Sequence, residues 1–211
     1  MDLSKGYTRA LIEECQLQGL LRNQCAYVLA TAFWETARTM KPVVEAFWKT
    51  EAWRRKNLRY YPWHGRGFVQ LTWQRNYEKA SRELGLPVAK SDPPKPFLIA
   101  EPDAALRPDI AARIIVTGMR EGWFTGTKLA DYVTLERSDF ENARRIVNGR
   151  DRAAEIAAIA RAYDTELKAF GYGRDKPACA APPMLAPSPI PRPALRPSFW
   201  ARLLALFKRR A

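Results

Sequence analysis

The sequence predicts a mainly α-helical domain with a small β element, followed by a proline-rich basic tail. Three observations support this fold class. Apolar residues recur at helical spacing in several segments, only one short segment is strand-like, and the composition changes near Gly173. The chain has 211 residues, of which 47% are hydrophobic, so it can form one main domain with a sizeable core and an appendage.

The first predicted helix covers residues 23–40 and is expected to end at Pro42, which cannot continue a helix. Residues 66–72 are expected to form a short strand or turn, and another helix is expected to begin near Thr72. The apolar positions that predict the first helix are Cys25, Val28, Leu29, Ala32 and Phe33.

Three further helices are predicted, the first at residues 109–120. Ser138 and Glu141 have the spacing of a capping box for the next helix, and Gly149 is expected to close it. Asp151 is expected to cap the last helix. The apolar face of that helix consists of Ile156, Ile159, Ala160, Tyr163, Leu167 and Phe170.

The domain organisation follows from the change in composition, with a folded domain at residues 1–173. Eight of the 16 prolines lie beyond it, and residues 174–197 are expected to form an extended linker. Residues 198–211 are predicted to form a short amphipathic helix that contacts an anionic membrane or lipopolysaccharide. A solvated basic tail is the alternative for this segment.

The formal net charge is +13, which favours an anionic partner such as nucleic acid, a membrane surface or a cell-wall polymer. The tail carries eight basic residues against one Asp, so the domain keeps only +6. This charge forms no obvious stripe along the sequence, and we find no nucleic-acid-binding module. A nucleic-acid-binding protein is therefore kept only as an alternative.

The cysteine pattern argues against a structural metal site. Cys15, Cys25 and Cys179 have no CxxC spacing, and the chain has one histidine, His64, expected at the surface or in a hydrogen bond. A Cys15–Cys25 disulfide stays open, although reduced thiols are expected. The N-terminus has no apolar signal segment, so we expect synthesis in a bacterial cytoplasm without Sec-type secretion.

Glu35 is the first candidate for acid–base chemistry, because it shares the apolar stripe of Val28 and Ala32. A carboxyl half-buried beside Phe33 and Trp34 is disfavoured in its charged form, which suits a general acid. The alternative is a glutamate at the edge of the stripe that reaches solvent.

Glu45 and Glu51 follow Pro42, in a segment that can fold back over the end of the helix. Two carboxyls that face one cleft can hydrolyse a glycosidic bond, one as proton donor and one as base or nucleophile. Residues 53–77 are dense in Trp, Tyr, Asn, Gln and Arg, which suits the faces and hydroxyls of sugars. A tryptophan-rich core segment and a site for single-stranded nucleic acid are the alternatives.

A family resemblance becomes visible in the order of four segments. They are FWET at 33–36, an acid at Glu45, YYPWHGRGFVQLTWQRNY at 60–77 and RRIVNG at 144–149. Together they resemble the family 19 glycoside hydrolases, chitinase-like enzymes of the lysozyme superfamily, and look most like the compact phage and prophage endolysins. The resemblance spans residues 23–170. It implies a lysozyme-like α+β fold in which helices and a small β element flank a catalytic cleft.

The resemblance implies an inverting hydrolase with Glu35 as general acid, at the end of the first long helix. Glu45 corresponds to the base that activates water, Thr72 to a residue that holds this water, and Glu51 is the alternative second carboxylate. Inversion requires the two carboxyls to lie about 6.5–9.5 Å apart. No metal or organic cofactor is implied.

Five residues are expected to form the substrate-binding group. Gln70 and Asn76 correspond to amides that contact sugars, and Asn148 to another amide on the substrate side. Tyr61 and Arg66 complete the group, with organisation of the Gly-Arg-Gly turn as the main task expected of Arg66.

The sequence departs from the family at Trp34, where the family commonly has His, and it lacks the long loops and disulfides of plant-type chitinases. The shorter cleft favours the glycan strands of peptidoglycan as substrate. We expect the protein to reach the cell wall after release from the cytoplasm, and to be a monomer. Hydrolysis of chitin oligomers and an inactive wall-binding module are the alternatives.

Overall fold

The structure, a computed structural model, describes residues 1–173. These residues form a mainly helical fold with two small antiparallel sheets, which confirms the predicted fold class of helices with a small β element. The helices are α1 (Thr8–Leu17), α2 (Arg22–Glu35), α3 (Glu51–Asn57), α4 (Gln74–Glu83), α5 (Phe97–Ala100), α6 (Pro108–Glu121) and α7 (Ala153–Phe170). The strands are β1 (Val43–Val44), β2 (Arg66–Gly67), β3 (Val88–Ala89) and β4 (Lys95–Pro96). The predicted linker, the predicted amphipathic segment and Cys179 lie outside the described residues.

Helix α2 lies at the centre of the domain. It is buried on almost every side, because its apolar residues do not keep to one stripe. Helix α7 packs along it, and α1 packs against both α2 and α6. The end of α2 is therefore fixed by the core, and Glu35 is its last residue.

The expected end of the first long helix at Pro42 is wrong, since α2 ends at Glu35. Ala37 and Arg38 follow with φ angles of 50° and 66°, in the left-handed region that cannot continue a right-handed helix. The Thr36 hydroxyl closes this turn by donating to the Ala32 carbonyl and accepting from the Met40 amide. A local turn therefore ends the helix before proline does.

Strands β1 and β2 form the small β element predicted near residues 66–72. They pair antiparallel, with Val43 opposite Gly67 and Val44 opposite Arg66. This pairing brings the segment after α2 against the Gly-Arg-Gly turn. The second sheet, β3 with β4, was not predicted from the sequence.

The helix predicted at residues 109–120 is confirmed as α6. It begins at Pro108 and ends before Gly122, which adopts the left-handed conformation of a C-terminal cap. Helix α4 begins at Gln74, two residues after the predicted position.

The capping box predicted for Ser138 and Glu141 is wrong. A short 3-10 helix, Asn142–Ile146, occupies this segment instead of an α-helix. Asp139 caps it by accepting the backbone N–H of Asn142, and the Asn142 side chain helps to lower the pKa of Asp139. The Ser138 hydroxyl instead accepts from the Asn23 side chain.

The last helix is confirmed, but its predicted cap is wrong. Helix α7 begins after Arg152, which has φ 57°, and no side chain caps it, so Asp151 does not have that role. Most of the predicted apolar face is buried, whereas Phe170 at the C-terminal end is 59% exposed.

Cys15 and Cys25 are both buried and free, so the disulfide left open by the sequence is absent. Burial, together with the neighbouring Cys25 thiol, raises the pKa of Cys15 and favours the neutral thiol. No helix in residues 1–173 combines the length and apolar character needed to cross a membrane.

Candidate active site

Glu35 and Glu45 are the two acidic residues that are buried within residues 1–173, each with 5% of its surface exposed. All other Asp and Glu side chains of this region are half-buried or exposed. Burial of a carboxyl is costly unless partners compensate for the lost water. The partners of the two carboxyls are different in kind.

Glu35 is held by an ion pair that joins distant parts of the chain. Nη1 of Arg144, in the 3-10 helix Asn142–Ile146, donates to Oε1 of Glu35 at 2.9 Å. The Arg144 side chain is 1% exposed, and its Nε donates to the Asp151 carbonyl at 3.2 Å. A guanidinium stabilises a carboxylate whereas burial destabilises it, so the two effects act in opposite directions at Glu35.

The surroundings of this ion pair are polar as well as buried. Thr31 and Tyr27 lie one and two turns before Glu35 on the same face of α2 and are buried with it. Burial raises the pKa of Tyr27 well above its usual value, so the phenol stays neutral. Nη2 of Arg144 makes no hydrogen bond to any described residue, and so keeps a donor in this buried cluster.

Glu45 is held by neutral donors from its own part of the chain. The Tyr60 hydroxyl donates to Oε1 at 2.6 Å, and the Gly65 amide donates to Oε2 at 2.8 Å. The Glu45 amide in turn donates to the Gly65 carbonyl at 2.7 Å. Both carboxylate oxygens are therefore oriented by the segment that precedes β2, which suits a base that must aim at a water molecule.

Gly65 lies in close contact with the base. A Cβ atom at this position would lie 2.7 Å from Oε1 of Gln70 and 3.3 Å from Cβ of Glu45. Gln70 has φ 55° and donates through Nε2 to the Val43 carbonyl at 3.0 Å. Gln70 thus closes the loop on β1, a task that the sequence did not indicate.

Thr72 and Asn76 continue this network and are half-buried. The Thr72 hydroxyl donates to the Gln70 carbonyl at 2.8 Å, and Nδ2 of Asn76 donates to the Thr72 carbonyl at 2.7 Å. Four of the predicted site residues, Glu45, Gln70, Thr72 and Asn76, therefore belong to one continuous region, which we call the Glu45 group together with Tyr60 and Gly65.

Asn148 belongs to the other region. Its backbone amide donates to the Arg144 carbonyl at 3.0 Å, and its Oδ1 accepts from the Gly149 amide at 2.8 Å. We call Glu35, Arg144 and Asn148 the Glu35 group. The chain links the two groups directly, because β1 follows the turn at the end of α2.

Arg66 organises the Gly-Arg-Gly turn, which is the main task that the sequence predicted for it. Its Nη1 donates to the carbonyls of Pro62 and His64 and to the Tyr77 hydroxyl, and its Nε pairs with Asp103 at 2.7 Å. The guanidinium is buried under these partners. The structure therefore gives no support to its place in the substrate-binding group.

His64 is neither at the surface nor hydrogen-bonded through its ring, so the sequence expectation is wrong. The residue is 1% exposed, and neither ring nitrogen has a partner among the described residues. Burial, aided by the charge of Arg66, lowers the pKa of His64 to about 4. The ring is neutral near pH 7 and stacks on Tyr61 at 5.6 Å between centroids.

Glu51, the alternative second carboxylate, lies in solvent at the first turn of α3. Its side chain is 52% exposed and pairs with Arg54 at 2.8 Å. Partial burial opposes ionisation, but the Tyr61 hydroxyl and Arg54 outweigh it and lower the pKa of Glu51. An exposed pair of this kind differs from the closed surroundings of Glu45.

Exposed aromatic rings lie beside the Glu45 group. Phe47 and Trp48 follow Glu45 by two and three residues, are 59% and 49% exposed, and meet edge to face at 5.1 Å. Trp73 is also exposed and packs on Tyr60 at 5.0 Å. Flat exposed rings offer stacking surfaces for the apolar faces of sugars.

Sequence reasoning missed Tyr60 and Arg144 as partners of the two glutamates. Tyr60 lies beside the predicted Tyr61, and Arg144 opens the RRIVNG segment that predicted Asn148. The sequence contained one signal for such partners, namely the expected burial of Glu35, because a buried carboxyl requires a hydrogen-bond donor or a cation.

No protein-family model, curated protein or solved structure matches the chain. Within residues 1–173, no group of three or more His, Cys, Asp or Glu side chains is arranged to hold a metal ion. Function must therefore be inferred from the two buried carboxyls and their surroundings.

Proposed function

We propose that the chain is a glycoside hydrolase that cleaves the β-1,4-linked amino-sugar backbone of peptidoglycan. One observation carries the proposal. The chain has 22 acidic residues, and the two that are buried within residues 1–173 are also the two that resemble the acid and base of family 19 enzymes. A protein that needed only stability would gain little from two buried carboxyls, because their desolvation is expensive.

In the proposed reaction, Glu35 protonates the glycosidic oxygen and becomes a carboxylate. Arg144, 2.9 Å from Oε1, stabilises the charge that this step creates. The ion pair thus corresponds to the state after proton donation, and Glu35 must take up a proton before the next cycle.

Glu45 supplies the second half of the reaction. With its oxygens oriented by Tyr60 and Gly65, it accepts a proton from a water molecule that Thr72 helps to hold. The oxygen of this water bonds to the anomeric carbon from the face opposite the leaving group, so the configuration inverts. The leaving oxygen carries the proton from Glu35, and protons balance over the cycle.

The aromatic rings beside Glu45 support a sugar substrate in particular. Trp48 is 49% exposed and Trp73 36% exposed, and the half-buried Asn76 adds an amide three residues after Trp73. This combination is typical of carbohydrate sites, in which rings stack and amides bind hydroxyls.

The test compares wild type with Glu35→Gln on purified peptidoglycan, by loss of turbidity and by mass spectrometry of new reducing ends. We expect Glu35→Gln to lower the rate by about 10²–10⁴-fold, because it removes the proton donor while keeping its shape. Glu51→Gln is the matched control, the same change at an exposed carboxylate, and should keep the wild-type rate.

Glu35→Gln leaves Arg144 without its buried counter-ion, so folding is checked by circular dichroism. If it is unfolded, Glu45→Gln serves as the second variant, since its amide oxygen can still accept from Tyr60. Wild-type lysis by a folded Glu35→Gln protein would contradict the proposal. The product ends also identify the sugar whose bond is cleaved.

A further inference from the structure

We propose that a basic and aromatic surface around α3 binds the carboxylates of peptidoglycan stem peptides and so selects this anionic polymer over neutral chitin. The surface consists of Lys49, Arg55 and Arg59 with the rings of Trp53, Tyr61 and Trp73. The inference rests on the proposed function and names the feature of the substrate that this site recognises.

The surface around α3 carries an excess of unpaired positive charge. Residues 49–59 carry five cations and one acid, Glu51, which is already paired with Arg54. Lys49, Arg55 and Arg59 are exposed, and none of them has an ion-pair partner among the described residues. A surface with several unneutralised cations attracts a polyanion.

Each of these cations lies over an aromatic ring. Nζ of Lys49 lies 5.6 Å from the ring centre of Trp53, and the guanidinium carbons of Arg55 and Arg59 lie 5.4 Å from Tyr61 and 5.3 Å from Trp73. Nη2 of Arg55 donates to the Tyr61 hydroxyl at 3.4 Å. A guanidinium has five N–H donors, so others are available for a carboxylate, and less side-chain freedom is lost when a positioned arginine binds.

A short series of contacts connects this surface to the proposed base. Arg59 stacks on Trp73, Trp73 packs on Tyr60 at 5.0 Å, and the Tyr60 hydroxyl donates to Glu45 at 2.6 Å. A strand whose sugar lies at Glu45 would therefore carry its substituents close to Arg59, one of the three cations.

The chemistry of the two polymers then decides which one the surface favours. Both consist of β-1,4-linked amino sugars, but alternate sugars of peptidoglycan carry a lactyl-linked peptide with free carboxylates, whereas chitin is neutral. Stacking rings would bind both polymers, whereas the cations gain ion pairs only with the first.

The experiment measures binding of the full-length protein to purified sacculi by co-sedimentation at low temperature. The test variant is Lys49→Gln/Arg55→Gln/Arg59→Gln. The control variant, Lys90→Gln/Arg161→Gln/Lys168→Gln, removes the same charge from three other exposed cations. The probes are native sacculi, sacculi whose carboxyls have been amidated, and a chitin hexamer.

We expect the test variant to bind native sacculi about tenfold more weakly than wild type, as three modest surface ion pairs would give. The control variant should bind like wild type, and amidation of the sacculi should abolish the difference. Binding of the chitin hexamer should be the same for all three proteins.

Equal weakening in both variants, or a loss that persists on amidated sacculi, would overturn the inference. Tighter binding of single-stranded DNA than of sacculi, lost in the test variant alone, would assign the surface to nucleic acid instead. If wild type releases no reducing ends but shows the charge-dependent binding, the hydrolase proposal fails and the assignment of this surface stands.

Discussion

The Glu35 group and the Glu45 group bury the same functional group by different means. Glu35 depends on a full charge from a residue 109 positions away, whereas Glu45 depends on two neutral donors 15 and 20 positions away. The first arrangement exists only when the Asn142–Ile146 segment has docked near the end of α2. The second is complete within one loop and its small sheet. One carboxyl is thus tied to the tertiary fold and the other to local structure.

This difference has an energetic consequence. Removing one partner of a buried ion pair leaves an uncompensated charge and typically costs about 3–5 kcal/mol. Removing one neutral donor from a carboxylate that keeps another costs about 1.5–3 kcal/mol. Variants can therefore separate the two groups by the size of their effects.

The largest effect is expected for Arg144→Met, which keeps an unbranched apolar stem but removes the charged guanidinium. We expect the free energy of unfolding to fall by about 3–5 kcal/mol, because Glu35 loses its buried counter-ion. Urea denaturation followed by circular dichroism measures this change.

The double variant Glu35→Gln/Arg144→Met removes both charges and should recover a large part of that stability. Simple addition of the two single effects would mean that the residues do not interact. In that case the contrast between the two groups would fail.

The next largest effect is a pH dependence of the unfolding free energy, which arises from His64 beside the Glu45 group. The pKa of His64 is about 4 in the folded protein, against an ordinary value of 6.5. As the pH falls from about 6.5 to 4, the unfolded chain binds a proton on this imidazole and the folded chain does not. The free energy of unfolding therefore decreases as the pH is lowered, by about 3 kcal/mol in total.

His64→Phe keeps the ring that stacks on Tyr61 and removes the titrating group. Its stability advantage over wild type should grow by about 3 kcal/mol between pH 7 and pH 4, as measured by urea denaturation at several pH values. A difference that stays constant across this range would show that His64 titrates normally in the folded state.

Tyr60→Phe is expected to have a smaller effect. It removes one donor from Glu45 and leaves the Gly65 amide, so we expect a loss of about 1.5 kcal/mol in unfolding free energy. Tyr61→Phe is the matched control, since the Tyr61 hydroxyl meets only Glu51 and Arg55 near the surface. A loss as large as that of Arg144→Met would erase the proposed distinction between the two groups.

The same contrast explains how far the sequence predicted the structure. The location of Glu35 in a buried helix followed from the apolar residues of α2, and the small sheet near Arg66 followed from the strand-like segment at 66–72. The end of α2 did not, because Thr36 and two left-handed residues stop the helix before Pro42. Side-chain caps and positive φ angles depend on local geometry that spacing alone does not encode.

Arg144 was missed for a different reason. It lies in a segment that was predicted as an α-helix and is a 3-10 helix, so its direction toward Glu35 could not be deduced from a helical wheel. A contact between residues so far apart is decided by packing of the whole domain. The local network of Glu45 was closer to prediction, since three of its four predicted members, Gln70, Thr72 and Asn76, fall within seven residues of the chain.

The smallest effect is expected for Glu51→Gln, and it completes the comparison with an exposed carboxylate. Glu51 is 52% exposed and paired with Arg54 in solvent, so its loss should lower the unfolding free energy by no more than about 0.5 kcal/mol. Release of reducing ends from peptidoglycan should stay at the wild-type rate, whereas Glu45→Gln should lower it by about 10²–10⁴-fold. The two variants carry the same chemical change six residues apart, so any difference between them comes from the surroundings of the carboxyl. If Glu51→Gln abolished turnover and Glu45→Gln did not, the base would lie at the surface and the burial of Glu45 would be structural.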